Sequence, residues 1–235
     1  MNGQRKLPEH IAIILDGNGR WAAKQGQKRS FGHCAGAKVV FRIAEAAARL
    51  HIPYLTVYAL SIENWKRPKE EIDYLMELFR NSIDEQTIFR NRIRFHVLGK
   101  TDTLPSDLAK YLSELEKRTA EATGMVFTIC ISYSSKWEIT EAVKALYRHV
   151  TAAELSIDAI SDKDIADFMP SRLLPDPDLI IRSGGEKRLS NFMLWQASYS
   201  ELYFTETLWP DFTPEDLNKA VRFYQSRDRR YGNIK

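Results

Sequence analysis

The segment Asp178-Leu-Ile-Ile-Arg182-Ser-Gly-Gly185 is a short apolar run that stops at an arginine and a pair of glycines. Its apolar part is typical of a buried strand, and the turn behind it is typical of an anion site. Glycines allow backbone N–H groups to approach a ligand closely, and the planar guanidinium of arginine suits phosphate oxygens. A strand end with solvated charges has the same sequence pattern, so other parts of the chain must distinguish the two.

Similar apolar runs recur along the chain and alternate with helical patterns. This alternation predicts an α/β fold in which a central, mostly parallel six-stranded sheet is flanked by helices on both faces. The five stronger strand candidates are 11–15, 55–60, 95–98, 126–131 and 179–181, and a weaker sixth is 202–205. Helices are predicted near 34–50, 69–89, 106–122, 135–149, 162–169 and 214–228.

The helix predicted over 69–89 carries a large apolar face with the i, i+3, i+4, i+7 spacing of an amphipathic helix. A face of this kind usually packs in the core. If the ligand has a long hydrocarbon tail, the same face lines a hydrophobic tunnel for that tail. The residues on this face are Ile72, Leu75, Met76, Phe79 and Ile83.

The composition limits the class of protein. With 235 residues, 44% of them hydrophobic, the chain can form one sizeable core, and a single domain over residues 1–235 is predicted. A net charge of +3 gives no case for nucleic acid as a partner. Cys34 and Cys130 form neither a metal-ligand spacing nor a disulfide framework, which fits a reducing cytosol. No apolar run approaches the ~20 residues of a membrane span, so we expect a cytoplasmic protein with at most peripheral contact at the inner membrane face.

The first predicted strand is followed by the glycine-containing segment Asp16-Gly-Asn-Gly-Arg-Trp21. The pattern Gly17-x-Gly19-x-x-Ala22 superficially fits a dinucleotide-binding fingerprint, which needs an acidic residue at the end of the next strand, about 20 residues on. The next strand ends much later, at Ser61. A Walker phosphate loop is rejected as well, because Arg94 stands where a glycine must precede Gly99-Lys-Thr101.

A phosphate loop of another kind agrees better with this segment. Its glycines expose N–H groups, Arg20 adds a guanidinium, and Arg29 and His33 follow on the approach to the next helix. Asp16 is a poor neighbour for a phosphate unless a divalent cation bridges the two. Mg²⁺ is the usual choice, held by one or two carboxylates and by phosphate oxygens of the substrate. The alternative for Asp16 is a turn-capping aspartate.

The second predicted strand also ends in a polar cluster, Ser61-Ile-Glu-Asn-Trp-Lys-Arg-Pro68. Ligands of parallel sheets bind beyond the carboxyl ends of the strands, so this cluster is expected beside the other two. One polar loop would be ordinary, but three strand ends of this character favour one shared cleft. The side chains expected there are Ser61, Glu63, Asn64 and Arg67, with Trp65 as a bulky wall.

Arg182, Arg188 and Ser190 form a second basic cluster, separate in sequence from the one behind the first strand. Two such clusters indicate two phosphorylated ligands, or one ligand with distant phosphates, since each diphosphate suits several charge-assisted hydrogen bonds. Glu201, which follows shortly after, is a candidate second metal carboxylate. An ordinary surface glutamate is the alternative for this residue.

In these motifs the sequence resembles the cis-prenyltransferases. The matching segments follow one another in the order and spacing of that family from about residue 10 to residue 232. Several multi-residue motifs together are far more specific than one glycine loop. The segments are Asp16-Gly-Asn-Gly-Arg-Trp21, Gly32-His-Cys-Ala-Gly36, Ser61 to Pro68, Asp178 to Gln196, Ala197 to Thr205 and Leu208 to Phe212.

The resemblance implies a homodimeric, Mg²⁺-dependent enzyme that condenses isopentenyl diphosphate repeatedly onto an allylic diphosphate, usually farnesyl diphosphate, with cis double bonds. The implied product is a long polyprenyl diphosphate such as undecaprenyl diphosphate, for the lipid carrier of cell-wall synthesis. A shorter-chain synthase and a non-catalytic partner subunit of the same fold are the alternatives. Asp16 disfavours the partner subunit, because a subunit that only supports another has no need of the metal carboxylate.

The resemblance also implies a role for each matched residue. Asp16 organises Mg²⁺ and the diphosphates, and Glu201 is the second metal carboxylate. The allylic diphosphate site corresponds to Gly17, Asn18, Gly19, Arg20, Arg29 and His33, with Trp21 beside them. The isopentenyl diphosphate site corresponds to Arg182, Arg188 and Ser190. The catalytic loop corresponds to Ser61, Glu63, Asn64, Trp65 and Arg67, and the C-terminal pair that reaches the site of the partner subunit to Arg230 and Gly232.

The sequence departs from the family pattern at several positions. Cys34 stands where lysine or arginine is common, Ser134 and Ser135 where glycines are frequent, and Lys187 where histidine is. The stretch from Glu71 to Gly99 is also slightly shorter, which concerns the tunnel helix and therefore the product length. The shorter stretch does not touch the residues expected to bind phosphate.

Overall fold

The structure of the protein, a computed structural model, describes residues 6–151 and 156–228 and has one sheet of six parallel strands. The strand order is β3-β4-β2-β1-β5-β6, and every pairing is parallel. The predicted α/β fold is therefore confirmed, including the weak sixth strand. The strands are β1 (His10–Ile14), β2 (Tyr54–Ser61), β3 (Arg94–Leu98), β4 (Val126–Tyr133), β5 (Leu179–Arg182) and β6 (Glu201–Phe204).

Helices follow most of the strands. Among the residues that the structure describes, no helix is both long enough and apolar enough to cross a membrane. A short helix directly behind β1, over Asn18–Lys24, was not predicted, because its two glycines indicated a loop. The helices are α1 (Asn18–Lys24), α2 (Arg29–Arg49), α3 (Lys69–Ser82), α4 (Glu85–Arg90), α5 (Ser106–Arg118), α6 (Ser135–Thr151), α7 (Asp162–Asp167) and α8 (Pro214–Ser226).

The single helix predicted over 69–89 is two helices, α3 and α4, separated at Ile83 and Asp84. Asp84 caps the second helix, because its carboxylate accepts hydrogen bonds from the Thr87 N–H at 3.0 Å and from the Thr87 hydroxyl at 2.6 Å. The apolar pattern runs through the break and so predicted one helix. Asp84, a residue type that commonly caps helices, was the feature of the sequence that indicated the break.

The sheet is covered by apolar side chains on both faces. Along β1, Ile11 and Ile13 belong to one core cluster and Ala12 and Ile14 to another, as the alternation of side chains along a strand requires. This explains why β1 is apolar throughout rather than at every second residue. The register pairs Ile14 with Tyr58 of β2 and with Arg182 of β5, so the residues behind these strands share one edge of the sheet.

His10, the first residue of β1, has a fully buried side chain with two hydrogen bonds. Nδ1 lies 2.6 Å from the carbonyl oxygen of Pro175 and must donate to it, which leaves Nε2 to accept from the Thr56 hydroxyl at 2.8 Å. Burial lowers the pKa of His10 from 6.5 to about 4, against the opposing effects of the Pro175 carbonyl and Asp178. The fold therefore requires the neutral ring.

We predict that the protein loses stability in acid because of this histidine. A folded-state pKa below the unfolded value means that the neutral ring contributes stability above pH 6.5, and that this contribution is lost as the pH falls towards 4. The shift corresponds to roughly 3 kcal/mol of unfolding free energy. Urea unfolding between neutral pH and pH 4 measures it. His10→Asn keeps a donor for the Pro175 carbonyl and removes the titrating ring, so its unfolding free energy should vary less with pH.

A matched control is His51→Asn. His51 is exposed and has a φ of 56°, a conformation that asparagine tolerates. This variant should keep the wild-type pH dependence. If the unfolding free energy of His10→Asn varies with pH as steeply as that of the wild type, the assignment of this pH dependence to His10 is wrong.

Candidate functional site

Asp16 lies at the carboxyl edge of the sheet, two residues beyond β1, and its backbone is held from two sides. Its N–H donates to the Ser183 hydroxyl at 3.0 Å, and that hydroxyl donates to the Asp16 carbonyl at 2.8 Å. The same carbonyl accepts from the Trp209 N–H at 3.0 Å. The segment behind β5 and the one behind β6 therefore fix the position of Asp16.

The carboxylate of Asp16 binds two arginines. Arg182 donates to one oxygen at 2.9 Å, and Arg20 lies 3.2 Å from the other. The Arg182 side chain is only 5% exposed. Its other end donates to the Ser190 hydroxyl at 2.7 Å and to the carbonyl of Arg188. The structure thus brings the two predicted basic clusters together at one aspartate.

The glycine pair behind β5 does not present its N–H groups to a ligand. Gly184 and Gly185 donate to the carbonyls of Thr207 and Thr205, each at 2.8 Å, and have φ angles of 86° and 81°. The expectation that these amides bind an anion is therefore wrong. The glycines turn the chain, and anion binding on this side is left to the arginines and Ser190.

The segment behind β1 is the start of a helix rather than a loop. Gly17 precedes α1 with a φ of 110°, and a Cβ there would lie 3.0 Å from the backbone of Leu208, so only glycine fits. The first N–H groups of a helix have no partner within it and are suited to an anion. They border a cavity of about 440 Å³, here termed the first cleft. Its polar lining is Asp16, Gly17, Asn18, Gly19, Arg20, Gln27, Arg29, His33 and Arg67.

A second cleft, of about 300 Å³, adjoins the first at Asp16. It contains the basic cluster behind β5 together with the polar segment behind β2. Asp16, Asn18, His33 and Arg67 border both clefts. The remaining polar lining of the second cleft is Tyr58, Ser61, Asn64, Arg182, Arg188 and Ser190.

An apolar tunnel opens from the same place. Its mouth is formed by Leu15, Asn18 and His33, which also border the two clefts. Its cavity volume is about 80 Å³, which has room for only a few water molecules. The predicted tunnel is therefore present but narrow. Deeper in, the lining is Ala37, Val40 and Phe41 from α2, Val57 and Ile129 from the sheet, and Leu75, Leu78, Phe79, Ser82 and Ile83 from α3 and its end.

Glu71, in the first turn of α3, is a further site residue that the motifs in the sequence do not indicate. One of its carboxylate oxygens lies 3.0 Å from Arg67, 3.1 Å from Arg29 and 3.3 Å from the ring of His33. The spacing of Arg67 and Glu71, four residues apart across a helix start, was the available signal. This carboxylate occupies donors that an anionic ligand of the first cleft would use.

His33 is kept neutral by its surroundings. Burial lowers its pKa most, and the positive charge of Arg67 lowers it further, while Glu71 acts in the opposite direction. A bound anion would raise this pKa for the same electrostatic reason.

We predict that Glu71→Gln binds inorganic pyrophosphate about tenfold more tightly than the wild type, a difference of about 1.4 kcal/mol. The substitution removes a negative charge that competes for Arg29, His33 and Arg67. Isothermal titration calorimetry measures the affinity. Glu70→Gln is the control, since Glu70 is the exposed neighbour of Glu71 and should leave the affinity unchanged. Weaker binding by Glu71→Gln would show that Glu71 does not compete with the ligand.

Two predicted tryptophans are held by residues that lie outside the clefts and the tunnel. The Trp21 indole donates to Asp211 at 2.6 Å and stacks on Phe31 at a centroid distance of 5.7 Å. The Trp65 indole donates to the Ser132 hydroxyl at 2.9 Å. Neither ring borders the two clefts or the tunnel, so contact with substrate remains a prediction for both.

The remaining loop residues are held locally. Ser61 caps a 3-10 helix over Ile62–Lys66, and its N–H donates to the Asn64 side chain at 3.2 Å. Both side chains border the second cleft. Glu63 is exposed beside the cleft and accepts a hydrogen bond from Asn191 at 2.7 Å.

Glu201 is not in the site of this chain. It begins β6 and pairs with Leu179 at the start of β5, whereas Asp16 lies beyond the opposite ends of the strands. Its carboxylate binds Arg227 at 3.0 Å. The expectation that Glu201 shares a metal ion with Asp16 is therefore wrong within one subunit. Arg230 and Gly232 lie outside the described residues, and their predicted role stays a prediction.

The fold and site together define a class of protein. Two cationic clefts meet at one aspartate on the carboxyl edge of a parallel sheet, and an apolar tunnel opens between them. This arrangement suits two anionic head groups placed side by side, at least one of which carries a hydrocarbon chain.

Comparison with known proteins agrees with this class. A family model described as putative undecaprenyl diphosphate synthase matches residues 14–232. An isoprenyl transferase of Clostridium perfringens is 44% identical, over 98% of this chain and 92% of its own length. A ditrans,polycis-undecaprenyl-diphosphate synthase, (2E,6E)-farnesyl-diphosphate specific, of Vibrio vulnificus is also 44% identical, over 96% and 91%.

Two solved structures are similar over the whole fold. Lavandulyl diphosphate synthase from Lavandula x intermedia, in complex with dimethylallyl diphosphate, has a TM-score of 0.93 and 34% identity over 97% of this chain and 99% of that one. A probable undecaprenyl diphosphate synthase from Campylobacter jejuni has a TM-score of 0.78 and 30% identity, over 99% and 100%. The chain belongs to the undecaprenyl diphosphate synthase family of cis-prenyltransferases.

Proposed function

We propose that this protein condenses isopentenyl diphosphate repeatedly onto farnesyl diphosphate, with cis double bonds, to give a long polyprenyl diphosphate such as undecaprenyl diphosphate for the lipid carrier of cell-wall synthesis. The observation that carries the proposal is the pair of arginine-containing clefts joined by Asp16 at the mouth of an apolar tunnel. The farnesyl diphosphate specificity of the Vibrio vulnificus relative supports the choice of farnesyl diphosphate.

The allylic diphosphate fits the first cleft. Arg20, Arg29 and His33 offer donors to its phosphates, and the mouth of the tunnel borders the same cavity, so the hydrocarbon tail can extend into the apolar space. Isopentenyl diphosphate fits the second cleft, where Arg182 and Ser190 are already hydrogen-bonded to each other. The tunnel mouth borders both clefts, so the assignment of each diphosphate to its cleft follows the roles that the family resemblance implies for the two basic clusters.

The reaction follows from holding the two diphosphates next to each other. The allylic C–O bond breaks and its electrons leave with the diphosphate, whose charge the arginines of the first cleft stabilise. The double bond of isopentenyl diphosphate then forms the new carbon–carbon bond, because both molecules are held in place for attack. A proton leaves the condensed product. Ser61, Asn64 and the released diphosphate are the candidate acceptors.

Asp16 fits a role in binding Mg²⁺ together with a diphosphate. Among the residues that the structure describes, no group of three or more His, Cys, Asp or Glu side chains is placed to hold a metal ion by itself. Mg²⁺ is commonly bound by one or two carboxylates and by oxygens of substrate phosphates, which suits a single aspartate between two diphosphate clefts. When bound, Mg²⁺ would neutralise the developing charge of the leaving diphosphate. Arg182 and Arg20 would then exchange part of their contact with Asp16 for phosphate oxygens.

The narrow tunnel bears on product length. A cavity of about 80 Å³ cannot hold a long prenyl chain, so its walls must move apart as the chain grows. The α3 wall is suited to this movement, since it ends at the break before α4. A shorter-chain synthase is the second candidate, favoured by the close structural similarity to lavandulyl diphosphate synthase.

The test is an incorporation assay with farnesyl diphosphate, labelled isopentenyl diphosphate and Mg²⁺, with products separated by length. We expect long cis products of about eleven isoprene units by family analogy. Asp16→Asn should lower turnover at least about a hundredfold with an unchanged fold, because it removes the charge that binds Mg²⁺ while keeping an acceptor for Arg182. Asp73→Asn, at an exposed aspartate of α3, is the control and should retain activity.

The outcomes of this assay separate the alternatives. No incorporation with any allylic diphosphate would contradict an enzymatic role and leave the non-catalytic partner subunit. Short products formed at a normal rate would favour the shorter-chain synthase. Near-normal turnover by Asp16→Asn would remove Asp16 from the metal role.

We also propose a homodimer in the cytoplasm, with at most peripheral contact at the inner membrane face. Cys34 and Cys130 are free thiols, which fits a reducing compartment. Val143 and Tyr147 lie one turn apart on α6 and are 53% and 69% exposed, an apolar pair suited to an interface.

Tyr147→Lys should therefore shift the protein towards monomer in sedimentation velocity, whereas the control Lys144→Arg, at a nearby exposed residue, should remain a dimer. A wild-type protein that is monomeric at micromolar concentration would contradict the proposal.

A further inference from the structure

The segment behind Arg188 has an unusual backbone. Ser190, Asn191 and Met193 have φ angles of 51°, 63° and 44°, in the left-handed region that residues other than glycine rarely adopt. Such conformations persist only where the surrounding contacts impose them, and they concentrate at functional sites. The hydrogen bonds of this segment therefore show which parts of the protein impose the positive φ angles.

The start of α6 holds this segment from the inside. The N–H of Ser135, a fully buried residue, donates to the Asn191 carbonyl at 2.8 Å, and the Ser135 hydroxyl accepts from the Leu194 N–H at 3.0 Å. The Lys136 N–H donates to the Asn191 side-chain oxygen at 3.0 Å. Asn191 is therefore fixed in both backbone and side chain.

These contacts also determine the orientation of the Asn191 amide. Its oxygen must face the Lys136 N–H, which can only donate, so its NH₂ group points away from α6. That group donates to the carboxylate of Glu63 at 2.7 Å. Glu63 lies within the 3-10 helix Ile62–Lys66, which follows Ser61 and contains Asn64.

The residue before Asn191 makes the contact on the other side. The Ser190 hydroxyl accepts from Arg182 at 2.7 Å, and Arg182 also binds Asp16 at 2.9 Å. Two consecutive residues thus join the two walls of the second cleft. Ser190 contacts the arginine wall, and Asn191 contacts the 3-10 helix that carries the polar residues behind β2.

We infer that Asn191 is a positioning residue for the second cleft, which sets the distance between the 3-10 helix and Arg182 and so shapes the site for isopentenyl diphosphate. The inference rests on the proposed function. The first cleft is lined by α1, α2, the residues just before each of them and Arg67, and none of these takes part in the hydrogen bonds of Asn191 described above. Loss of the bond to Glu63 should therefore weaken binding of isopentenyl diphosphate and leave binding of the allylic diphosphate nearly unchanged.

The same bond affects the charge of Glu63. Burial is the largest single influence and acts to raise the pKa of this carboxyl, but the hydrogen bonds from Asn191, from the Glu63 backbone N–H and from Ser61, together with the charge of Lys66, lower it on balance. A carboxylate at position 191 in place of the amide would repel the Glu63 carboxylate and so raise the pKa of Glu63. Any activity that needs an ionised Glu63 would then be lost at a higher pH than in the wild type.

The variant that tests the inference is Asn191→Asp. Aspartate tolerates a positive φ and keeps an oxygen for the Lys136 N–H, but it presents a second oxygen to Glu63 instead of a donor. We expect its dissociation constant for isopentenyl diphosphate, measured by calorimetry without an allylic substrate, to rise about tenfold or more, as for the loss of a hydrogen bond to a charged group. The dissociation constant for farnesyl diphosphate should change less than about twofold. In steady-state assays the acid limb of kcat/KM should move to higher pH.

A reciprocal exchange gives a rescue. In the double variant Asn191→Asp with Glu63→Gln, the glutamine can donate to the aspartate, so the hydrogen bond returns with its direction reversed. Affinity for isopentenyl diphosphate should recover towards the wild-type value, which loss of folding stability alone would not produce. Asn81→Asp, at an exposed asparagine of α3, is the matched control and should leave both affinities unchanged.

A second variant keeps the test decisive if Asn191→Asp does not fold. Glu63→Ala removes the acceptor of the hydrogen bond from Asn191 and should weaken isopentenyl diphosphate binding to the same extent as Asn191→Asp. Unchanged affinity for isopentenyl diphosphate in either folded variant, or a parallel loss for farnesyl diphosphate, would overturn the inference. A wild-type protein that binds no isopentenyl diphosphate would instead contradict the proposed function, so the two failures are distinguishable.

Discussion

The ion pair between Asp16 and Arg182 is the contact on which the rest of the site depends. A guanidinium that is 5% exposed needs a carboxylate partner, since an unpaired buried charge is strongly unfavourable. The pairing of Ile14 with Arg182 across β1 and β5 brings the two side chains within 2.9 Å. Both clefts then border Asp16, and the second also borders Arg182, because the segments behind the strands have only this edge of the sheet to occupy.

Internal carboxylates bind the cationic groups of the site. Asp16 holds Arg20 and Arg182, and Glu71 holds Arg29 and Arg67. These contacts keep the arginines from repelling one another and orient them before a diphosphate arrives. Binding is therefore an exchange of anions rather than the filling of an uncharged cavity. The affinity depends on the difference between the two sets of contacts.

The sequence was sufficient to predict the α/β class, all six strands and most residues that border the clefts, since apolar runs and motif residues are local signals. It was misleading where a pattern had two structural solutions. Gly17 precedes α1 and Gly19 lies in its first turn, and Gly184 and Gly185 donate to the carbonyls of Thr207 and Thr205. Glu201 has the right chemistry for a metal ligand but lies at the wrong end of its strand.

The amino-acid sequence by itself determined the alternation of strands and helices, the apolar face of α3 and the family to which the chain belongs, because each is written in the spacing of neighbouring residues. Only the tertiary structure decided which side chains meet. Glu71 binds Arg29 across two helices, and Asn191 binds Glu63 over a separation of 128 residues. Contacts of this range depend on strand order and register, which no local pattern records.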